Sequence, residues 1–178
     1  MAPTPIDSLH DDFMEIVKVL EKHGEISLQN TTQENFRKSL LLSTASYFET
    51  KLTNEIILFF EKTSDNKLLG SEFVKHSAVY RQYHTFFDWK AYNANHFFSL
   101  FGEDFKKFML SEIRKDIKLE KGVSAFMAIG SERNRLVHEN YVVFPLEKTT
   151  EEIFNLYLDA LYFVDGFTKK LQEYVSEK

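Results

Sequence analysis

The sequence predicts an all-α fold, an up-and-down helical bundle with an inserted helical or irregular segment near its middle. Three observations predict it. Apolar residues return at steps of three and four along most of the chain, the period of a helix with one buried face. Thr31 with Glu34, and Thr149 with Glu152, have the spacing of capping boxes. Nowhere do apolar and polar residues alternate as strands require, and nothing repeats at a period of 20–50 residues. Helices in series without intervening strands pack as a bundle.

Each element follows from local signals. Asp7 or Ser8 is placed to cap a first helix that carries Leu9, Phe13, Ile16, Val17 and Leu20 and ends at Gly24. Residues 24–31 read as a loop. The Thr31–Glu34 box then opens the longest helix, which runs to about Lys62 and carries Phe36, Leu40, Leu41, Ala45, Phe48, Leu52, Ile56 and Phe59 on one face. Ser64-Asp65-Asn66 is a loop signal, and Ser71 to about Phe87 reads as helical. Asp88 to Phe98, aromatic and Asn-rich, reads as an irregular segment leading into a short helix that Gly102 breaks. Glu103 to Lys115 is amphipathic through Phe105, Phe108, Met109 and Ile113. The next helix spans about 119–141. Tyr141 to Pro145 is expected to be extended, because a residue before proline avoids the helical region. The final helix starts after Thr149, reaches about Tyr174 and displays Ile153, Leu156, Tyr157, Leu161, Val164, Phe167 and Leu171. The long helix, the 119–141 helix and the final helix should be neighbours.

Composition narrows the function classes. The length suits a single domain over residues 1–178, able to bury about 70% of its unfolded surface without covalent staples. With 18 Phe, the core is expected to be built on large rings, and with no Cys there is neither a disulfide nor a thiolate metal site. That suits a reducing, cytoplasmic setting. The N-terminal residues contain no basic region followed by an apolar run, which argues against a signal peptide, and no apolar run is long enough to span a membrane. A net charge of −5 argues against a general nucleic-acid coat. It leaves room for a nuclease with one positive pocket, since a few phosphate contacts can carry affinity.

The stretch with chemistry is Ser131 to Tyr141. Val123, Phe126, Ile129, Leu136 and Val137 recur at helical spacing, and Arg133 projects from that same stripe, below Phe126 and beside Val137. A guanidinium there needs a partner. Glu49, inside the long helix, is the candidate that would hold it. Asn134, His138 and Tyr141 form a second stripe, with Asn134 one turn before His138. An imidazole, with an ordinary pKa near 6.5, takes and returns protons at neutral pH. The alternative is structural: Arg133 buried in an ion pair, His138 hydrogen-bonded at a helix end, Tyr141 packing. Arg135 is expected at the surface, either touching phosphate or simply solvated. Tyr80 to Phe98, with Arg81, Tyr83, His84, Trp89, Lys90, Tyr92 and His96, would either stack bases between cations or cap one end of the bundle. His76, His84 and His96 lack metal-ligand spacing, and the sequence holds no Gly-rich phosphate loop and no G-x-S-x-G. No cofactor and no metal is expected.

Arg133-Asn134-x-x-x-His138 resembles the R-x4-6-H signature of HEPN domains, including the polar residue that follows the Arg. Ser46-Tyr47-Phe48-Glu49 in the long helix, and Phe144-Pro145 followed by Thr149-Thr150-Glu151-Glu152-Ile153, resemble the RiboL-PSP-type branch. The resemblance covers roughly residues 31–174. It implies a metal-independent endoribonuclease in which Arg133 and His138 are catalytic, with Asn134 supporting them. The RNA 2′-OH would attack its own phosphate, leaving a 2′,3′-cyclic phosphate and a 5′-OH. It also implies a homodimer with a composite cleft and a toxin–antitoxin or antiphage setting, with an antitoxin or defence partner. One departure is that Tyr141 stands three residues after the His, where some HEPN toxins place a Tyr two after it. At that spacing the role expected of Tyr141 is packing. The rival reading is a non-catalytic HEPN-fold scaffold or binding protein, which the acidic charge favours.

Overall fold

A computed structural model of the chain describes residues 2–63, 72, 74, 76 and 82–176. Among these residues lie six α-helices: α1 (Pro5–Lys22), α2 (Ile26–Thr63), α3 (Asn95–Ser99), α4 (Glu103–Lys115), α5 (Ile117–His138) and α6 (Thr150–Ser176). One 3-10 turn spans Tyr83–Thr85. No strand occurs among the described residues, so the fold is the all-α bundle expected.

Most boundaries follow the local signals, and the exceptions have physical causes. α1 starts one turn earlier than expected. The Thr4 hydroxyl accepts from the backbone N–H groups of Ile6 and Asp7, the Asp7 carboxylate accepts from the Thr4 N–H, and Pro5 opens the helix. Ile16, expected on the buried face, is exposed; that face is made by Ile6, Phe13 and Val17. The Thr31–Glu34 box is not used. Gly24 sits at φ +70°, which reverses the chain tightly, and α2 resumes at Ile26. Thr31 is then inside the helix, and its hydroxyl donates to the carbonyl of Ser27. The loop at Ser64–Asn66 lies outside the described residues, as does most of the helix expected from Ser71. That helix does not extend to Phe87, because only the single turn Tyr83–Thr85 is helical there. Gly102, at φ +101°, separates α3 from α4. Tyr141–Val143 form a turn, not an extended run: the Asn140 side chain accepts from the Val142 N–H. The Thr149–Glu152 box forms as spaced, with bonds of 2.7 and 3.1 Å.

α6 is the central element. It packs against both α5 and α2, and α2 also packs on α1 and α5. The three helices expected to be neighbours are so. Large rings fill the space between them: Phe163 meets Phe98, Phe126 and Phe167, while Phe48 meets Phe126 and Tyr157. Polar clamps fix α6 to its neighbours at the rim. Lys51 pairs with Asp165 at 2.8 Å, Lys170 with Glu112 at 2.7 Å, and the Tyr162 hydroxyl donates to Asp116 at 2.8 Å. The carboxylate of Asp165 holds the Lys51 ammonium above its ordinary pKa, against the opposing effect of burial.

Gly122 sets how closely α5 and α6 approach. A Cβ there would stand 2.9 Å from the Asp159 carbonyl oxygen and 3.1 Å from the Phe163 backbone nitrogen. Ala is ordinarily better than Gly inside a helix by about 1 kcal/mol, but here the obstacle is backbone and cannot rotate away. We expect Gly122→Ala to destabilise the protein by about 1–3 kcal/mol. The check is the urea midpoint at unchanged m-value; a raised midpoint would contradict the close helix contact.

Candidate active site

The site is built on the second half of α5. Asp116 caps the helix by accepting from the N–H groups of Lys118 and Leu119. Phe126, Ile129 and Leu136 are buried and orient the helix on the bundle. Val137, assigned to that stripe from its spacing, is 45% exposed. The apolar stripe drifts off the core at the last turn because nothing covers that side of the helix among the described residues. The helix ends at His138, three residues earlier than expected, where Glu139 turns extended at φ −105°, ψ 172°.

Gly130 carries the largest consequence for the site. A Cβ there would lie 1.8 Å from Cζ3 of Trp89, so the indole occupies the volume a side chain would need. Two further contacts hold the ring in place. Its Nε1–H donates to the His84 carbonyl at 3.1 Å, and it packs on Phe87 with centroids 4.8 Å apart. Phe86, Phe87, Phe97 and Phe98 of the same segment are buried, whereas Tyr92 is 92% exposed. The segment is thus a core cap through its Phe residues, while Tyr83, His84 and Trp89 form a wall. Tyr80 and Arg81 lie outside the described residues.

On one side of Trp89 is a cleft of about 240 Å³. Arg133, Asn134, Glu49, Tyr83, His84 and the edge of Phe126 border it. Arg133 is half-buried, and its Nη1 donates to the Asn134 side-chain oxygen at 3.1 Å. Asn134 therefore serves Arg133, and no hydrogen bond joins it to His138 among the described residues. Glu49 lines the same cleft, but the expected ion pair between it and Arg133 does not form; the guanidinium turns to Asn134, its neighbour on the same helix, instead. Both charges act on the Tyr83 hydroxyl. Burial pushes its pKa far up, Glu49 adds to that, and Arg133 opposes it. Tyr83 stays a protonated donor at any working pH.

On the other side of Trp89 is a shallower groove bordered by Lys90, Ser131, Asn134, Arg135, His138 and Glu139. His138 is exposed at its edge. Arg135 is exposed but held: its guanidinium pairs with Glu132 at 3.2 Å and lies 5.3 Å from the centre of the Phe144 ring. The two residues of the Arg-x4-His motif thus open onto adjoining surfaces that share Trp89 and Asn134.

Tyr141 lies at the surface with its ring beside Lys38. Lys38, 2% exposed in α2, donates to the carbonyls of Tyr141 and Val142 at 2.9 and 3.1 Å and stands 5.4 Å from the Tyr141 ring centre. It ties the chain leaving α5 back onto the bundle just beyond His138. Spacing had given no reason to single out Lys38, because a lone Lys on a long helix reads as solvated. The seat of Trp89 on Gly130 has no sequence signal for a similar reason: it is a contact across 41 positions, and Trp89 by itself reads only as part of an aromatic segment. Among the described residues no three His, Asp or Glu side chains gather into a group able to hold a metal ion, and no helix is long and apolar enough to cross a membrane.

The family model described as RiboL-PSP-HEPN matches residues 7–173. The chain belongs to the RiboL-PSP-HEPN family. Comparison with curated proteins and with solved structures gives no significant match. This HEPN chain therefore carries its Arg133–His138 motif on a helix whose last two turns form one lip of a cleft and one lip of a groove.

Two substitutions check this architecture. Gly130→Ala should drive the indole out of its seat, lowering stability by about 1–3 kcal/mol despite the better helix propensity of Ala. Trp89 is the single Trp, so its emission should shift to the red; unchanged emission would contradict the seat. Lys38→Met leaves two carbonyls without their buried donor and should lower stability by about 1–3 kcal/mol. Limited proteolysis should then cut faster within residues 139–146, and equal rates would contradict the tether.

Proposed function

We propose that this HEPN protein is a metal-independent endoribonuclease that cleaves RNA through Arg133 and His138. The observation that carries the reading is that both side chains reach solvent from one helix, Arg133 from a half-buried, hydrogen-bonded position and His138 from an exposed one. A held guanidinium and an exposed imidazole, on surfaces that adjoin at Trp89 and Asn134, are the two kinds of group that phosphodiester transesterification needs.

The chemistry balances without a cofactor. The imidazole of His138 removes the proton of a ribose 2′-OH. The 2′-oxygen attacks phosphorus, the P–O2′ bond forms and the P–O5′ bond breaks, giving a 2′,3′-cyclic phosphate. The leaving 5′-oxygen takes a proton from a second imidazolium, that of His138 in the other copy of the dimer proposed below, and becomes a 5′-OH. Arg133 neutralises charge on the non-bridging oxygens, which grows as the phosphorus becomes crowded. Asn134 fixes the guanidinium. Arg135, with Glu132 already on it, is a weaker candidate for a phosphate contact.

One imidazole cannot easily act on both sides of a phosphate, so the functional unit we propose is a homodimer with a shared cleft. The apolar surface past the motif supports this. Val137, Val142 and Val143 are 45%, 76% and 72% exposed around the end of α5, where a second copy would cover them. A cytoplasmic setting, with an antitoxin or defence partner restraining the activity, completes the proposal.

The test is digestion of total RNA with and without EDTA, with end-group analysis. Wild-type protein should cut in EDTA and leave cyclic phosphate ends. His138→Ala should lose about 10²–10⁴ in rate, and Arg133→Ala should lose at least as much. Intact RNA with the wild type, together with equal tolerance of wild type and His138→Ala on expression, would favour a non-catalytic HEPN binding or scaffold protein.

A further inference from the structure

The cleft on the Arg133 side of Trp89 holds a charge that phosphate binding does not explain. Glu49 lines the space Arg133 borders, its charge acts on the Tyr83 hydroxyl that lines it too, and among the described residues its carboxylate has no hydrogen-bond or ion-pair partner. Beside an RNA backbone it would repel phosphate. A carboxylate in such a place is useful against something that offers hydrogen-bond donors and no negative charge. A nucleobase edge does so, and the cleft suits one in size. At about 240 Å³ it is smaller than the roughly 300–1,000 Å³ of sites that take a whole drug-sized ligand. Its wall is a π-surface already fixed: Trp89 is locked by the His84 carbonyl and by its seat on Gly130, so stacking a base on it orders no side chain.

The donor pattern selects the base. A carboxylate has two acceptor oxygens and no donor. Guanine presents two adjacent N–H donors, N1–H and the exocyclic amine, which meet both oxygens at once. Adenine and cytosine present an amine next to an acceptor ring nitrogen, which would face the second oxygen lone pair to lone pair. Uracil presents one N–H between two carbonyls. Guanine also carries O6, which needs a donor, and the cleft provides the Tyr83 hydroxyl and the remaining guanidinium N–H groups of Arg133.

We propose that this cleft is a guanine-binding subsite, with Glu49 reading the N1–H and amine edge and Trp89 stacking on the ring, so that the enzyme cuts RNA next to a guanosine. The choice of RNA as the source of that guanine rests on the nuclease reading above; the base recognition itself does not. Glu49 is then a specificity-determining residue and not an ion-pair partner of Arg133.

The protein supplies its own probe, because Trp89 is the single Trp. In the first arm, the wild type is titrated with GMP, IMP, AMP, CMP and UMP, following Trp89 emission corrected for nucleotide absorption. GMP should quench saturably, at least tenfold more tightly than AMP, CMP or UMP, with IMP, which lacks the amine, in between. Glu49→Gln, with its melting temperature checked against wild type, should lose that preference. Absent or equal binding of all five, or a preference that survives Glu49→Gln, overturns the guanine site. In the second arm, a defined RNA is cut by wild type and by Glu49→Gln and the ends are mapped. Wild-type cuts should fall beside guanosine and weaken about tenfold when that guanosine is replaced by inosine, and the variant's cuts should spread to other bases. RNA cleavage that needs Arg133 and His138 but ignores guanine overturns this proposal and leaves the nuclease standing. Loss of all cutting in Glu49→Gln with GMP preference intact also overturns it, since Glu49 would then serve Arg133. GMP-selective quenching by a wild type that cuts no RNA overturns the nuclease reading, supports the base site and makes free guanine nucleotide its ligand.

Discussion

Trp89 lies in the space that a side chain at position 130 would fill, and the surface of the motif helix is shaped by that contact. With the indole seated on Gly130 and its N–H spent on the His84 carbonyl, Phe87 and Trp89 are held against α5. The ring then divides what would be one broad trough into a cleft and a groove, with Arg133 in one and His138 on the other. Asn134 borders both. The partition suits the proposed chemistry, in which the two side chains have different tasks. A guanidinium that stabilises charge gains from partial burial, where the local dielectric is low. An imidazole that exchanges protons gains from access.

The bundle behind this surface is organised to keep it rigid. α6 supports α5 along its length, with Gly122 allowing backbone approach and Phe163 reaching the back of Phe126. Phe126 in turn packs under Phe87 and Trp89. A chain of rings therefore runs from the centre of the bundle to the wall of the cleft. At the far end of the motif, Lys38 does the corresponding work with polar groups by holding the Tyr141 and Val142 carbonyls. The segment of α5 bearing Arg133 and His138 is thus braced at both ends from other helices. Positional precision of this kind is what a site with few catalytic groups requires.

Much of this was legible in one dimension. The 3.6-residue period located α2, α4, α5 and α6, and the Thr149–Glu152 spacing fixed where α6 begins, since a capping box is a local hydrogen-bond pattern. The same kind of signal misled at Thr31, where the positive φ of Gly24 let α2 start earlier and made the box redundant. Periodicity also overreached at Val137, because spacing says which residues share a face but not where the neighbouring element stops covering it. Glu49 was expected to pair with Arg133; the two line one cleft, but the guanidinium turns to the Asn134 side chain, its neighbour on the same helix.

By itself the sequence determined the fold class, the family and the motif helix with its Arg-x4-His spacing. These are properties of local period, capping chemistry and residue order, and they need no knowledge of what lies across the bundle. Only the tertiary structure decided that Trp89 fills the gap left by Gly130, that Lys38 is a buried tether, and that Glu49 lines the cleft of Arg133 without an ion pair to any described residue. Each of these is a meeting of residues far apart along the chain. Close packing, which admits one arrangement of large rings and a missing side chain, settles such meetings, and no single stretch of sequence contains that information.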